Sequence, residues 1–201
     1  MSRPPDSKIA AVVLAAGGST RSKEPKQQIL FRGRELLKHS VEIAVGSVCE
    51  PICVVLGARA DQFRTQVENL PVTIVVNQDW ESGVSSSIRT GLRKAVELDD
   101  NLDAVLFMTI DQPLVTSKML DDLVELYDSE HSLIVSCSYN ETVGIPALYD
   151  RSLFNSLEGL EGDQGAKRVI LQNIDNALHV DYPEAGMDID SEEDLARLEA
   201  D

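Results

Sequence analysis

Ile9-Ala-Ala-Val-Val-Leu-Ala-Ala-Gly-Gly-Ser-Thr-Arg21 opens with an unbroken apolar run and closes on two adjacent glycines and a cation. Apolar residues without polar alternation are what a strand covered on both faces requires, and such strands belong to parallel sheets. Further short and mostly β-branched runs, Ile52 to Leu56, Val72 to Val76, Ala104 to Met108 and Leu133 to Cys137, read as strands. Between them, apolar residues recur at helical spacing over Leu36 to Val45, Asp61 to Val67, Ser86 to Val96 and Ser117 to Tyr127. Strand and helix alternate, which predicts an α/β fold: a Rossmann-like, mostly parallel open sheet with helices on both faces. In such sheets ligands bind beyond the carboxyl ends of the strands. After Ser138 the rhythm becomes irregular, with Gly144 to Tyr149, a helix expected from Asp163 to about Gln172, and a terminal helix after Ser191. This part reads as an irregular C-terminal lid. The sequence has no internal repeat, low-complexity linker or composition break, so residues 1–201 are expected to form a single domain.

The chain has 201 residues, 43% of them apolar and 26% charged, which is enough apolar surface for a core. Its formal charge of -16 repels polyanionic backbones and anionic membrane faces, so neither a nucleic acid nor a membrane is expected as a partner. The longest apolar run, Ile9 to Ala16, is far short of the ~20 residues of a membrane-spanning helix. Cys49, Cys53 and Cys137 are an odd number of cysteines in a chain of a size that needs no disulfide staples, and reduced core thiols in a cytoplasmic protein fit them. Cys49 and Cys53 have no matching Cys or His pair, which argues against zinc.

The acidity has a local exception. From Arg21 to Lys38 six cations stand against two acids, a balance of +4 that leaves -20 for the rest of the chain. This positive island directly follows the first buried strand, where a phosphorylated ligand would approach an α/β sheet. Gly17 and Gly18 allow backbone amides close to an anion, and Arg21 and Lys26 add two fixed charges. A solvated basic loop is the plainer explanation of the same letters. The loop is not a Walker loop and not the Gly-x-Gly-x-x-Gly dinucleotide fingerprint, which demotes P-loop ATPases and nicotinamide dehydrogenases.

Leu14-Ala-Ala-Gly-Gly-Ser-Thr-Arg21, with Pro25-Lys26-Gln27 after it, resembles the signature of the MobA-like nucleotidyltransferases. Asn77 to Gly83, Ser86 to Leu92, Asp111-Gln-Pro113, Gly162-Asp-Gln-Gly-Ala166 and Asp188 to Leu195 continue the resemblance in order along essentially the whole chain. The branch most similar is molybdenum cofactor cytidylyltransferase. The resemblance implies transfer of CMP from CTP to the phosphate of a molybdopterin-type acceptor, with release of pyrophosphate. Mg²⁺ is the implied cofactor, and a transient contact with the molybdoenzyme that receives the product, or with its chaperone, is the implied protein interaction. Ala15, Ala16, Gly17 and Gly18 would line the nucleotide, with Ala16 the residue that favours CTP over GTP. Arg21 and Lys26 would neutralise the triphosphate as charge moves to the leaving group. Ser87 matches a base-contacting position, although a serine there can also cap its own helix turn. Trp80 is either an ordinary buried anchor or part of a pocket rim.

Asp111, three residues beyond an apolar strand, projects at the ligand-facing edge of the sheet and is the expected Mg²⁺ ligand, a turn-forming aspartate being the alternative. Asp188 and Asp190 alternate about Ile189 and share a face of any extended segment. The resemblance takes a second metal ligand from here, Asp188 rather than Asp190, which can instead cap the terminal helix. In the resemblance the segment from Gly162 to Arg168 lies near the acceptor, with Lys167 and Arg168 as cations for its phosphate. A helix with two exposed bases explains the same letters without a ligand. No general base is needed, because a phosphate monoester with a second pKa of about 6 is already largely dianionic at neutral pH. His39, His131 and His179 therefore read as structural. Where the family carries Met-Gly after the loop arginine, this chain has Ser22-Lys23. Two other functions remain open: a nucleotidyltransferase for a sugar phosphate or another phosphorylated alcohol, and a nucleotide sensor or cofactor chaperone that has lost turnover.

Overall fold

The structure, a computed structural model, describes residues 7–18, 25–189, 194–196 and 198. Nine strands and six α-helices are found among them. In chain order these are β1 (Ile9–Ala15), β2 (Leu30–Phe31), β3 (Arg34–Glu35), α1 (Leu36–Val45), β4 (Ile52–Leu56), α2 (Ala60–Val67), β5 (Thr73–Val76) and α3 (Val84–Leu98). They continue with β6 (Ala104–Thr109), α4 (Ser117–Glu130), β7 (Ile134–Tyr139), β8 (Thr142–Asp150), α5 (Phe154–Glu158), α6 (Lys167–Gln172) and β9 (Ala177–Asp181). Seven strands form one sheet in the order β5-β4-β1-β6-β8-β7-β9, and β2 and β3 make a separate small hairpin. The expected α/β class is the one observed.

β1 explains why the apolar run carries so much information. It is paired in parallel with β4 on one side and β6 on the other, and every residue in it is buried. Its odd-numbered residues, Ile9, Ala11, Val13 and Ala15, enter a core built with α1, α2 and α4. The even-numbered residues Ala10, Val12 and Leu14 enter a second core with α3, α5 and α6. The period-two alternation of a strand thus feeds two apolar layers at once, which is why no polar position interrupts it. The chain leaves β1 toward β4 and β5, then returns over α3 to β6 on the opposite side of β1. The carboxyl ends of β1 and β6 accordingly flank the point where the winding reverses, the usual site of a ligand crevice in an open α/β sheet.

The stretch beyond Ser138 departs from expectation. It is no irregular lid: β8 inserts antiparallel between β6 and β7, and β9 extends the sheet parallel to β7. The reason for the misreading is Pro146. A proline has no N–H for the ladder, and the register shifts between Ser136 and Cys137 where the chain passes it, so a buried strand carries the letters of a loop. The helix expected from Asp163 starts only at Lys167, because Gly162 adopts a left-handed φ of 54° and its carbonyl accepts from Ser85 N–H at 3.1 Å. Of the terminal helix expected after Ser191, residues 194–196 and 198 are described and helical, and the remainder lies outside the described residues.

Cys49, Cys53 and Cys137 are buried and unpaired, and burial pushes each thiol up to about 12. Among the described residues no helix is long and apolar enough to cross a membrane.

α3 lies unusually close to the sheet. A Cβ on Gly91 would collide with Val12 Cγ1 and stand 2.9 Å from Val55 Cγ2. Since α3 begins at the ligand crevice, this contact fixes the crevice's depth. In an open helix position Gly→Ala gains up to about 1 kcal/mol, whereas overpacking a core costs about 1–3 kcal/mol. Gly91→Ala is therefore expected to lower the melting temperature; a higher one would show that α3 is not seated against Val12 and Val55.

Candidate functional site

A cleft of about 530 Å³ opens at the carboxyl ends of β1 and β6. Its floor is the loop from Ala15 to Gly18, and Lys26, Asp111, Trp80, Ser87 and Asp163 stand around it. Each wall has a sequence-level cause. Lys26 and Gln27 lie on a single 3-10 turn, Lys26–Gln28, that returns the chain to the loop after β1. Asp111 follows β6, whose register beside β1 sets Thr109 opposite Leu14. Lys26 Nζ donates to Asp111 Oδ2 at 3.0 Å, so the cation after the first strand and the carboxylate after the fourth strand of the parallel block meet in one pair.

The loop is held by its own carbonyls. Gln27, only 1% exposed, donates through Nε2 to Ala15 O at 2.9 Å and to Gly17 O at 3.0 Å. The carbonyl between them, Ala16 O, accepts from Ala58 N–H at 3.1 Å. Trp80 covers the loop: a Cβ on Gly18 would lie 2.8 Å from Trp80 Cζ3, and one on Gly57 would lie 2.7 Å from Trp80 Cβ. At Gly18 the indole occupies the space of a side chain, and at Gly57 the Ala16 carbonyl oxygen, 2.6 Å from such a Cβ, does so together with Trp80 Cβ. Trp80 therefore anchors the loop and lines the cleft at once.

Ser87 sits at the far wall without capping α3. Its Oγ accepts from Asn77 Nδ2 at 3.0 Å, while Ser86 Oγ donates toward Gly83 O and Asp79 O and accepts from the same amide at 2.8 Å. A hydroxyl offers one donor and two acceptors, so Ser87 keeps its hydrogen to offer a ligand. The N-cap of α3 is Gly83, with φ at 102° and no side-chain cap. The carbonyl of Gly162 fills that role, and Arg89 holds the same loop by donating to Leu160 O, which leaves Asp163 lining the cleft.

The second acidic segment comes to Asp111 through the main chain: Ile189 N–H donates to Asp111 O at 2.8 Å. Ile189 is fully buried against Ile29, Phe31 and Leu36, which fixes this register. Gln112 ties the same elements together, with Nε2 donating to Ala185 O at 2.7 Å and Ile145 O at 3.0 Å. Tyr139 is wedged between Gly144 and Gly186. Burial above all, and then the negative fields of Asp188 and Asp111, push its hydroxyl up to about 12 against the opposing bond from Gln112. Both carboxylates thus act on one side chain. Among the described residues no group of three or more His, Cys, Asp or Glu could hold a metal. Two carboxylate oxygens do suit Mg²⁺, which takes one or two protein carboxylates and completes its shell with phosphate oxygens and water.

The site residues expected from sequence fall into three groups. Ala15, Ala16, Gly17, Gly18, Lys26, Ser87 and Asp111 line one cleft, and Asp188 is carried to Asp111's strand end. Lys167 and Arg168 are exposed on α6 outside that lining, and Lys167 Nζ donates to Thr142 Oγ1 at 2.6 Å beside a second hollow of about 410 Å³. Arg21 and Asp190, together with Ser22 and Lys23, lie outside the described residues. None of the histidines lines the cleft: His39 bonds Pro113 O, His179 pairs with Ser136 and His131 closes α4. Sequence reasoning passed over Gln27, Gln112 and Asn77. Their only signal was a buried amide beside a charged or glycine-rich motif, and the partners are backbone groups that no residue pattern reveals.

A Rossmann-like sheet with an amide loop, a lysine and a carboxylate at its switch point defines the nucleotidyltransferase class. The chain belongs to the MobA-like NTP transferase domain family, whose model matches residues 11–177. It is 28% identical to nicotine blue oxidoreductase of Paenarthrobacter nicotinovorans, over 94% of this chain and 96% of that protein. It is 34% identical to the bifunctional protein GlmU of Corynebacterium diphtheriae over 63% of this chain, which spans only 27% of GlmU. Among solved structures, Rv0371c of Mycobacterium tuberculosis superposes with a TM-score of 0.84 at 26% identity, over 97% of this chain and 98% of that one. Rv0371c has also been solved in complex with manganese.

Trp80 is the one tryptophan of the chain, so its fluorescence reports the cleft directly. Gly18→Ala must displace the indole and is expected to shift the emission of the free protein. Emission identical to the parent would show that the ring does not rest on the loop.

Proposed function

We propose that the protein transfers CMP from CTP to the phosphate of a molybdopterin-type acceptor and releases pyrophosphate, with Mg²⁺ as cofactor. The observation that carries this reading is the pair of Lys26 and Asp111 at the mouth of an amide-lined loop, with the Asp188 segment bonded to Asp111's own carbonyl. Asp111 would hold the metal with a second carboxylate from the 188–190 segment, Asp188 rather than Asp190. Bound there, Mg²⁺ would offset the charge that develops on the transferring and leaving phosphates. Rv0371c, whose structure includes manganese, supports a divalent ion in this fold.

The chain's residues then divide the work. The amides of Gly17 and Gly18 would receive phosphate oxygens, and Lys26, which pairs with Asp111 here, would pair with the triphosphate. Arg21 adds a second cation on the leaving side. Ala15 and Ala16 border the nucleotide, Ser87 donates its hydroxyl hydrogen to the base, and Trp80 closes the loop side against water. Lys167 and Arg168 would meet the acceptor outside the cleft, near Thr142. No side chain needs to remove a proton, because the attacking phosphate is already dianionic at neutral pH. A cytoplasmic location accompanies this reading and suits three unpaired buried thiols.

A second reading, an oxidoreductase, is favoured by the alignment with nicotine blue oxidoreductase along nearly the whole chain. The two separate in one experiment. Incubation with labelled CTP, Mg²⁺ and molybdopterin is expected to release pyrophosphate, with Asp111→Asn and Lys26→Ala each slower by about 100-fold or more. Release no faster than in Lys26→Ala, together with oxidation of a reduced nicotinamide cofactor by a dye acceptor, would replace the first reading by the second. Pyrophosphate from CTP with a sugar phosphate in place of molybdopterin would keep the class and change the acceptor.

A further inference from the structure

We infer that Gln27 is a positioning residue for polyphosphate binding: its carboxamide turns the carbonyls of the glycine loop away from the cleft so that the loop presents amides. The inference rests on the proposed nucleotide reading of the cleft and assigns a residue that reading does not use.

Three consecutive carbonyls, of Ala15, Ala16 and Gly17, lie in the segment a triphosphate would approach. An outward-facing carbonyl would meet the phosphate oxygens lone pair to lone pair. Here each has a protein donor: Gln27 Nε2 serves Ala15 O and Gly17 O, and Ala58 N–H serves Ala16 O. By contrast, the N–H groups of Gly17 and Gly18 enter no backbone hydrogen bond among the described residues. The loop therefore has its acceptors satisfied by protein donors and its amides left for an anion, which is the polarity an oxyanion site needs.

The chemistry of Gln27 fits no plainer purpose. Its side chain is buried, yet Oε1 has no hydrogen-bond partner. Burying an amide with an unpaired oxygen is unfavourable, so the two bonds its Nε2 makes must offset that penalty. The orientation of the amide is forced as well, since a flipped group would set Oε1 against two carbonyl oxygens. What the amide accomplishes is to bridge two carbonyls two residues apart, which a hydrocarbon cannot do. Gln27 also neighbours Lys26, so the turn that carries the phosphate-pairing cation also sets the loop it faces.

The test is calorimetry with magnesium tripolyphosphate, which has no base or acceptor, on the full chain and two variants. Gln27→Met keeps the volume and removes both donors. Gln27→Glu places a carboxylate against the two carbonyls and can donate only when protonated. With folding checked by circular dichroism, Gln27→Met is expected to bind about 10-fold more weakly, the equivalent of one lost hydrogen bond. Gln27→Glu is expected to bind more weakly still at pH 7.5, and its deficit relative to the parent should shrink toward pH 5. Thermal melts of the same variants over this pH range separate the two roles: a purely structural one would lower stability in step with affinity, whereas the positioning role lowers affinity in a variant that stays folded. If Gln27→Met does not fold, the pH profile of Gln27→Glu decides alone. Equal affinity in the parent and the folded variants overturns the inference while leaving CMP transfer intact. Failure of the parent itself to bind overturns both, because the loop is then no polyphosphate site.

Discussion

The contact between Lys26 Nζ and Asp111 Oδ2 joins the two ends of the parallel block across the mouth of the cleft. A lone carboxylate beside an amide loop would repel a triphosphate, and a lone lysine there would hold any anion without discrimination. Paired, they neutralise each other and are partly shielded from water. The same logic accounts for the charge of the chain. At -16 its long-range field opposes anionic ligands, so their capture in the proposed reading is local, at the amides and Lys26.

That contact is a consequence of topology. β1 lies between β4 and β6, and the chain reverses its winding around it, so the loops after β1 and β6 open side by side. The remaining elements hold this opening at a fixed size. α3 presses on β1 and β4 at Gly91, Gly162 caps α3 through its carbonyl, and Gln112 fastens the end of β6 to Ala185 and Ile145. Tyr139, the last residue of β7, packs on Gly186, and Gln112 bonds Ala185, so the stretch after β9 is fastened to the end of β6.

Much of this was legible in the sequence because it rests on periodicity. An apolar run feeding two cores has a single interpretation, and the bounds of β4 and α1 follow the letters directly. Lys26, Asp111, Ser87 and the glycines were legible for another reason: they stand in the motifs that carry the family resemblance, and the fold brings them to one cleft. Illegible were the features set by backbone partners. Pro146 made a buried strand look like a loop, the carbonyl of Gly162 delayed a helix by four residues, and Gln27 acts on carbonyls that carry no residue identity. Lys167 and Arg168 came from the resemblance, and the fold puts them on α6 outside the lining of the cleft.

The central claim is that a divalent ion and the Asp111 carboxylate bring CTP to the loop after β1. Titration calorimetry of CTP into the parent protein and Asp111→Asn, each with Mg²⁺ and with chelator, tests it most directly. The account predicts tight uptake only by the parent with Mg²⁺, weakened by chelation and by the substitution to a similar degree. Equal affinity in all four titrations would contradict it.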